Sequence, residues 1–367
     1  MTSLSHSTFS VKKRGGFTVM SCRLNMEQAD SVLTELRKAY RVYAPTLFPK
    51  QGRYSDTDIV RYAEIEHVNE IEFERKSDFP AKEVLSPIQR TTFYFTEEEY
   101  HENLHEQLPV LVFGRACDIS AQKIQARIYD GNGDFTDPYY KAIHDKAKFV
   151  LMECDGGWDS CFCVSMNTNK TDDYVMAVRK DGDTLSVQIK DEAFAPYFNE
   201  AEPCDYKPSF VEKNELTVQV PVIPDKQVLT KLKNHPMWRE FDKRCISCGS
   251  CTVACSTCTC FTTRDVVYTE NENAGERRRV ADSCQIAGFD QMAGQREIRS
   301  RAGDRMRYKV LHKFHDYDAR FHEGSMCVGC GRCIDRCPEF ISIAATLEKM
   351  NKALEEIQSS QETEAAK

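Results

Sequence analysis

Residues 245–255 read CISCGSCTVAC, and residues 327–338 read CVGCGRCIDRCP. Cys245, Cys248, Cys251 and Cys255 fall on one spacing, C-x2-C-x2-C-x3-C. Cys327, Cys330, Cys333 and Cys337 repeat it. Four thiolates that converge on the corners of an iron–sulfur cube need a chain that wraps it tightly. The first three cysteines of a run can do this, with Gly249, Gly329 and Gly331 easing the turns. The fourth points away, because the chain has by then passed the cube.

This is the ligand spacing of bacterial two-cluster ferredoxins, in which the fourth cysteine of each run serves the other cluster. It predicts one [4Fe–4S] cluster on Cys245, Cys248, Cys251 and Cys337. It predicts a second on Cys327, Cys330, Cys333 and Cys255. Pro338 follows the second run, while Ser256 stands where such motifs often carry proline; this bears on loop shape and not on the ligands. Zinc is the competing reading, as a structural module of a different class. Zinc sites pair two C-x2-C knuckles around one ion, and two identical four-cysteine runs are too crowded for that pattern. Disulfides are the weakest option. The start, MTSLSHSTFSVKKRGG, is polar and has no apolar signal segment. Seventeen cysteines without an export signal point to a reducing, cytoplasmic setting and to metal ligation.

At 367 residues the chain is long enough for two cores. Apolar residues make up 41% and charged residues 29%, as in ordinary globular proteins. The net charge of −8 argues against general nucleic-acid binding. No apolar run approaches the ~20 residues of a membrane span; LPVLVF (108–113) and KFVLM (148–152) are strand-length.

Residues 1–19 have no period and read as a flexible extension. From Asn25 to Tyr40 apolar residues recur at helical spacing. TTFYFT (91–96), PVLVF (109–113), KFVLM (148–152), DYVMAVRK (173–180) and TLSVQIKD (184–191) read as strands, and Asp181-Gly182 predicts a hairpin between the last two. A helical segment at 137–147 lies between strands. The expected fold is thus a mixed α/β domain over 20–225. PVIPDK (221–226) marks its end. A ferredoxin-like two-cluster domain follows over 226–350, with a long, mainly helical insert between the runs. Residues 341–357 are helical in pattern, and a polar tail is expected over 351–367.

Beyond the runs, RVYAPTLF (41–48), GRYSDTD (52–58), RACDI (115–119), CFCVSMNTNKTD (161–172), STCTCF and HKFHDY carry a resemblance across about Met20 to Leu347. The chain resembles the iron–sulfur subunits of cytosolic hydrogenases and sulfite reductases, and the iron–sulfur electron-transfer subunit of anaerobic sulfite reductases in particular. CFCVSM with TNKTD is its most discriminating part. The resemblance implies a relay subunit of a NADH-dependent sulfite reductase. A flavin subunit would take hydride from NADH, and a sirohaem subunit would reduce sulfite to sulfide. The equivalent subunit of a hydrogenase or sulfur reductase is the alternative it leaves open. No GxGxxG or Walker-type loop and no nucleophile–base pair is present, so no catalytic residue is expected in this chain.

Nine cysteines lie outside the runs. Cys22 and Cys204 stand alone and read as ordinary thiols. Cys258 and Cys260 follow the first run and Cys284 lies in the insert; they could pack beside a cluster or replace a ligand. Cys117, Cys154, Cys161 and Cys163 sit at or just beyond apolar strands. They read either as a third metal site in the N-terminal domain or as buried thiols. Residues 296–322 carry eight cations (Arg296, Arg299, Arg301, Arg305, Arg307, Lys309, Lys313 and Arg320) against Glu297, Asp304, Asp316 and Asp318. A solvated face, partner docking and compensation of cluster charge are the readings of this segment.

Overall fold

The computed structural model describes residues 12–14, 17–103 and 108–365. The expected extension over 1–19 lies mostly outside these residues. Where it is described, Lys12–Arg14 form strand β1 and Phe17 opens β2 (Phe17–Asn25), its antiparallel partner. The strands that follow are β3 (Arg41–Phe48), β4 (Ile59–Glu64), β5 (Gln89–Phe95), β6 (Tyr100–Glu102), β7 (Val110–Gly114), β8 (Lys148–Met152), β9 (Met176–Asp181), β10 (Thr184–Ile189) and β11 (Glu202–Pro203).

Most of them form one mixed sheet in the order β1-β2-β10-β9-β8-β7-β3-β4, with β11 beside β2. β3, β7, β8 and β9 are mutually parallel, and the flanking pairs are antiparallel. β7 reads VLVFG and is buried at every position, as a central parallel strand covered on both faces requires. Its side chains alternate. Leu111 and Phe113 meet Leu33 and Leu36 of the helix Met26–Arg37 on one face. Val110 and Val112 meet Tyr129 and Tyr140 on the other. The helix Ala116–Tyr129 starts directly after β7 and, with Pro138–His144, forms the crossover to β8. Gly182 turns the β9–β10 hairpin at φ 60°, where a side chain would be strained.

The stretch between the cysteine runs differs from the mainly helical expectation. It opens with a long hairpin, β12 (Phe261–Tyr268) and β13 (Asn271–Ala281). β13 pairs with β5, giving a second sheet β12-β13-β5-β6 shared by the two halves of the chain. TTFYFT therefore belongs to this sheet and not to the main one. The charged run GERRRV obscures the strand in sequence. On a ribbon with solvent beside it, arginines can alternate with small and apolar residues and still pair, as Arg277 does with Asp265 across the hairpin (2.6 Å). α-Helices follow at Ala302–Leu311 and Tyr317–Phe321, joined by a π-helical turn at His312–Asp316.

The C-terminal core is built from these helices, Lys226–Lys233, and a last helix, Ile343–Ala365. Val228, Leu232, Trp238, Met306, Val310, Phe314, Leu347, Met350 and Leu354 pack together there. The polar tail expected from residue 351 is a continuation of this helix. Ala353, Leu354 and Ile357 are buried on it, so the core holds it well past Met350. No helix among the described residues is long and apolar enough to cross a membrane.

Candidate iron–sulfur sites

The two cysteine runs have the same backbone form. Ser247 and Gly249 in the first have φ of 58° and 78°; Gly329 and Gly331, their equivalents in the second, have 64° and 73°. Each run then enters one helical turn, Ser250–Val253 or Arg332–Asp335. Left-handed residues at these two points reverse the chain so that successive cysteines face one side. In the second run glycine is also needed for space. A Cβ on Gly331 would lie 2.4 Å from the carbonyl oxygen of Ser160, and one on Gly329 would lie 2.5 Å from that of Phe162.

Cys245, Cys248, Cys251 and Cys337 line one pocket with about 540 Å³ of atom-free space, closed by Met306, Lys309, Ile341 and Ile343. Cys333 also borders it. Cys255 lies on the other side, within charge-interaction range of Cys327 and Cys333. The fold thus brings the last cysteine of each run toward the first three of the other. Among the described residues, no three His, Cys, Asp or Glu side chains close on a single ion; the sulfurs surround a space, not a point.

The surroundings suit a negatively charged group. Lys309 is buried, and its ammonium has no hydrogen-bond partner among the described residues. Burial opposes its charge, yet Cys251, Cys258, Cys333 and Cys255 around it hold its pKa well above the usual value. Lys313, also buried, donates to Thr257 Oγ1 (2.9 Å). Buried ammonium groups demand a counter-charge, and a cubane on four thiolates supplies one.

The N-terminal cysteines meet the second run. Cys117 begins the helix after β7, and Cys154, Cys161 and Cys163 lie in the loop after β8. Both positions are at the carboxyl ends of neighbouring parallel strands, where open α/β sheets place their sites. Cys163 is in charge-interaction range of Cys161 and Cys154, and Cys117 of Cys163 and Cys330. Burial pushes all four thiols up, Cys163 to about 11. The Phe162 N–H donates to Gly329 O (2.8 Å), and Thr168 Oγ1 donates to Val328 O (2.7 Å). The CFC segment is thereby clamped onto the second run.

Sequence reasoning missed what fastens the two halves. Arg332, inside CGRC, is buried with Asp118, inside RACDI; side-chain exposures are 2% and 1%. Its Nη1 donates to Asp118 Oδ1 (2.7 Å) and Ser256 Oγ (3.1 Å), Nη2 to Asp118 Oδ2 (3.1 Å) and Ser77 Oγ (2.8 Å), and Nε to Ser77 O (2.8 Å). Ser256 occupies the place proline often takes after the fourth cysteine, and its hydroxyl also contacts Cys330 Sγ (3.5 Å). A proline there would forfeit both contacts. Lys76 adds a second tie, from Nζ to Ser160 Oγ (2.6 Å), Cys330 O (3.1 Å) and Asp335 (2.6 Å). The sequence signal for Arg332, Asp118 and Ser256 is their position within or beside cysteine motifs; Lys76 and Ser77 lie in no such motif.

Residues 244–341 match the 4Fe-4S dicluster domain family. Sulfhydrogenase 2 subunit beta of Pyrococcus furiosus is 26% identical over 346 residues, covering 90% of this chain and 98% of the relative. No solved structure matches the chain. The fold and sites define an iron–sulfur electron-transfer protein. It carries two [4Fe–4S] clusters, both in the C-terminal half.

Proposed function

We propose that this chain is the iron–sulfur relay subunit of a multi-subunit oxidoreductase of the hydrogenase or sulfur reductase type. The relative named as a sulfhydrogenase beta subunit supports this, because it aligns along nearly its whole length. The observation that carries the relay reading is the contiguity of thiols. Cys245, Cys248, Cys251 and Cys337 share one pocket, Cys333 borders it, and Cys330 reaches Cys117 and Cys161 in the other half. In our reading Cys337 completes the first cluster and Cys255 the second. Cys117, Cys154, Cys161 and Cys163 hold a third cluster beside the second. When bound, such clusters take up and release single electrons. The chain's own part is to hold them close, exclude water with Trp238, Met306 and Phe162, and set their charge environment with Lys309 and Lys313.

The partners in this reading are a flavin subunit that oxidises a nicotinamide and a terminal reducing subunit. The sulfite reading rests on CFCVSM and TNKTD; its terminal subunit would contain sirohaem. Co-purification under anaerobic conditions separates the two: a nickel protein supports the first and a sirohaem protein the second. The isolated chain should bleach with dithionite and restore turnover to a complex lacking it, yet neither oxidise NADH nor reduce sulfur species or protons. Turnover by the chain alone would refute the relay role.

A further inference from the structure

Cys258, Cys260 and Cys284 stand outside the ligand sets proposed above, yet they line one pocket. It contains about 740 Å³ of atom-free space and is also lined by Tyr308, Lys309, His312 and Lys313. The hairpin explains how residues so far apart in sequence meet. Cys260 immediately precedes β12 and Cys284 lies just beyond β13. Phe261 pairs with Ala281 across the hairpin, and the Asp282 N–H donates to Cys260 O (3.0 Å). The Cys260 and Cys284 side chains are hydrogen-bonded to each other, as are those of Cys258 and Cys255. The hairpin base is therefore a device that gathers sulfur.

We propose that Cys258, Cys260 and Cys284, with His312 as the fourth group, hold a further iron–sulfur cluster at the base of the β12–β13 hairpin. Three observations point to a ligand there. Lys309 and Lys313 both face this pocket, and neither has a carboxylate partner among the described residues. A thiolate-bound cluster would give them a counter-charge. Polar groups converge on Cys284: Gln285 Nε2 donates to its sulfur (3.6 Å), and the buried Thr252 hydroxyl beside it has no other partner among the described residues. Donors of this kind support cluster sulfur. His312 stacks on Tyr308, and among the described residues no hydrogen bond commits its ring nitrogens.

The test uses the full chain purified without oxygen. Iron-edge anomalous scattering from crystals of the wild type should show iron bonded to these three sulfurs. Iron and acid-labile sulfide should each fall by about four per chain in the variant Cys258→Ser/Cys260→Ser/Cys284→Ser. The EPR signals of the clusters on the two runs should persist in that variant. The proposal is overturned if wild-type crystals show no iron at these sulfurs, show zinc there instead, or show a Cys260–Cys284 disulfide. It is also overturned if a folded variant keeps the wild-type iron and sulfide content. The crystal measurement decides the matter even if the variant fails to fold.

Discussion

Arg332 shows how much one side chain can carry. It is fully buried, its charge is met by Asp118, and every other contact joins the second cysteine run to the N-terminal half or to Ser256. Removing one partner leaves a buried charge uncompensated, at a cost of about 3–5 kcal/mol. Asp118→Ala should lower the stability of the anaerobic holoprotein by about that much in a denaturant titration. A loss below about 1 kcal/mol would place the pair among exposed bridges. Lys309 acts on potential. A cation held near a cluster favours its reduced, more negative state, so Lys309→Met should shift midpoint potentials negative, on the order of tens of millivolts. Potentiometric EPR titration reads this; an unchanged or more positive midpoint would remove Lys309 from the charge environment. Cys337→Ser should alter the signal of the cluster on Cys245, Cys248 and Cys251. A change confined to the other cluster would exclude the crossed arrangement.

At the scale of elements, the cysteine loops depend on what is packed behind them. Gly331 and Gly182 both have positive φ (73° and 60°), but an added Cβ meets Ser160 O at the first and open space at the second. Gly331→Ala should therefore cost about 1–3 kcal/mol more than Gly182→Ala and should reduce iron content; equal effects would show that backbone strain alone matters. The hairpin β12–β13 is hidden in sequence by its arginines, and nothing in TTFYFT says that β5 leaves the main sheet to join it. Strand pairing between distant segments is a tertiary event, so neither pattern alone could reveal it. The strands β7 and β8 are legible because burial in the centre of a parallel sheet leaves apolar runs.

At the scale of the molecule, folding and metal loading are linked. Lys309, Lys313 and Arg332 are buried cations, and of these three only Arg332 has a carboxylate partner among the described residues. Lys309 and Lys313 lie among thiols of and beside the two runs, Cys251, Cys255, Cys258, Cys327 and Cys333, so losing the clusters changes the charge set against them. Cluster removal by oxidation and chelation should lower Tm and open residues 244–341 to protease, while the main sheet keeps its far-UV signal. An apo form with the holoprotein's Tm would contradict this linkage.

The sequence by itself determined that the chain carries two [4Fe–4S] clusters, because C-x2-C-x2-C-x3-C is local. The four thiols and the left-handed turns between them lie within a few residues, and no distant contact is needed to recognise them. It also determined the parallel core, through runs too apolar to face water. Only the tertiary structure decided which halves touch. Asp118 meets Arg332, the CFC loop seats on Gly329 and Gly331, and the hairpin gathers Cys260 and Cys284. Each of these joins residues distant in sequence, and their pairing is set by the packing of whole elements, which no local spacing encodes.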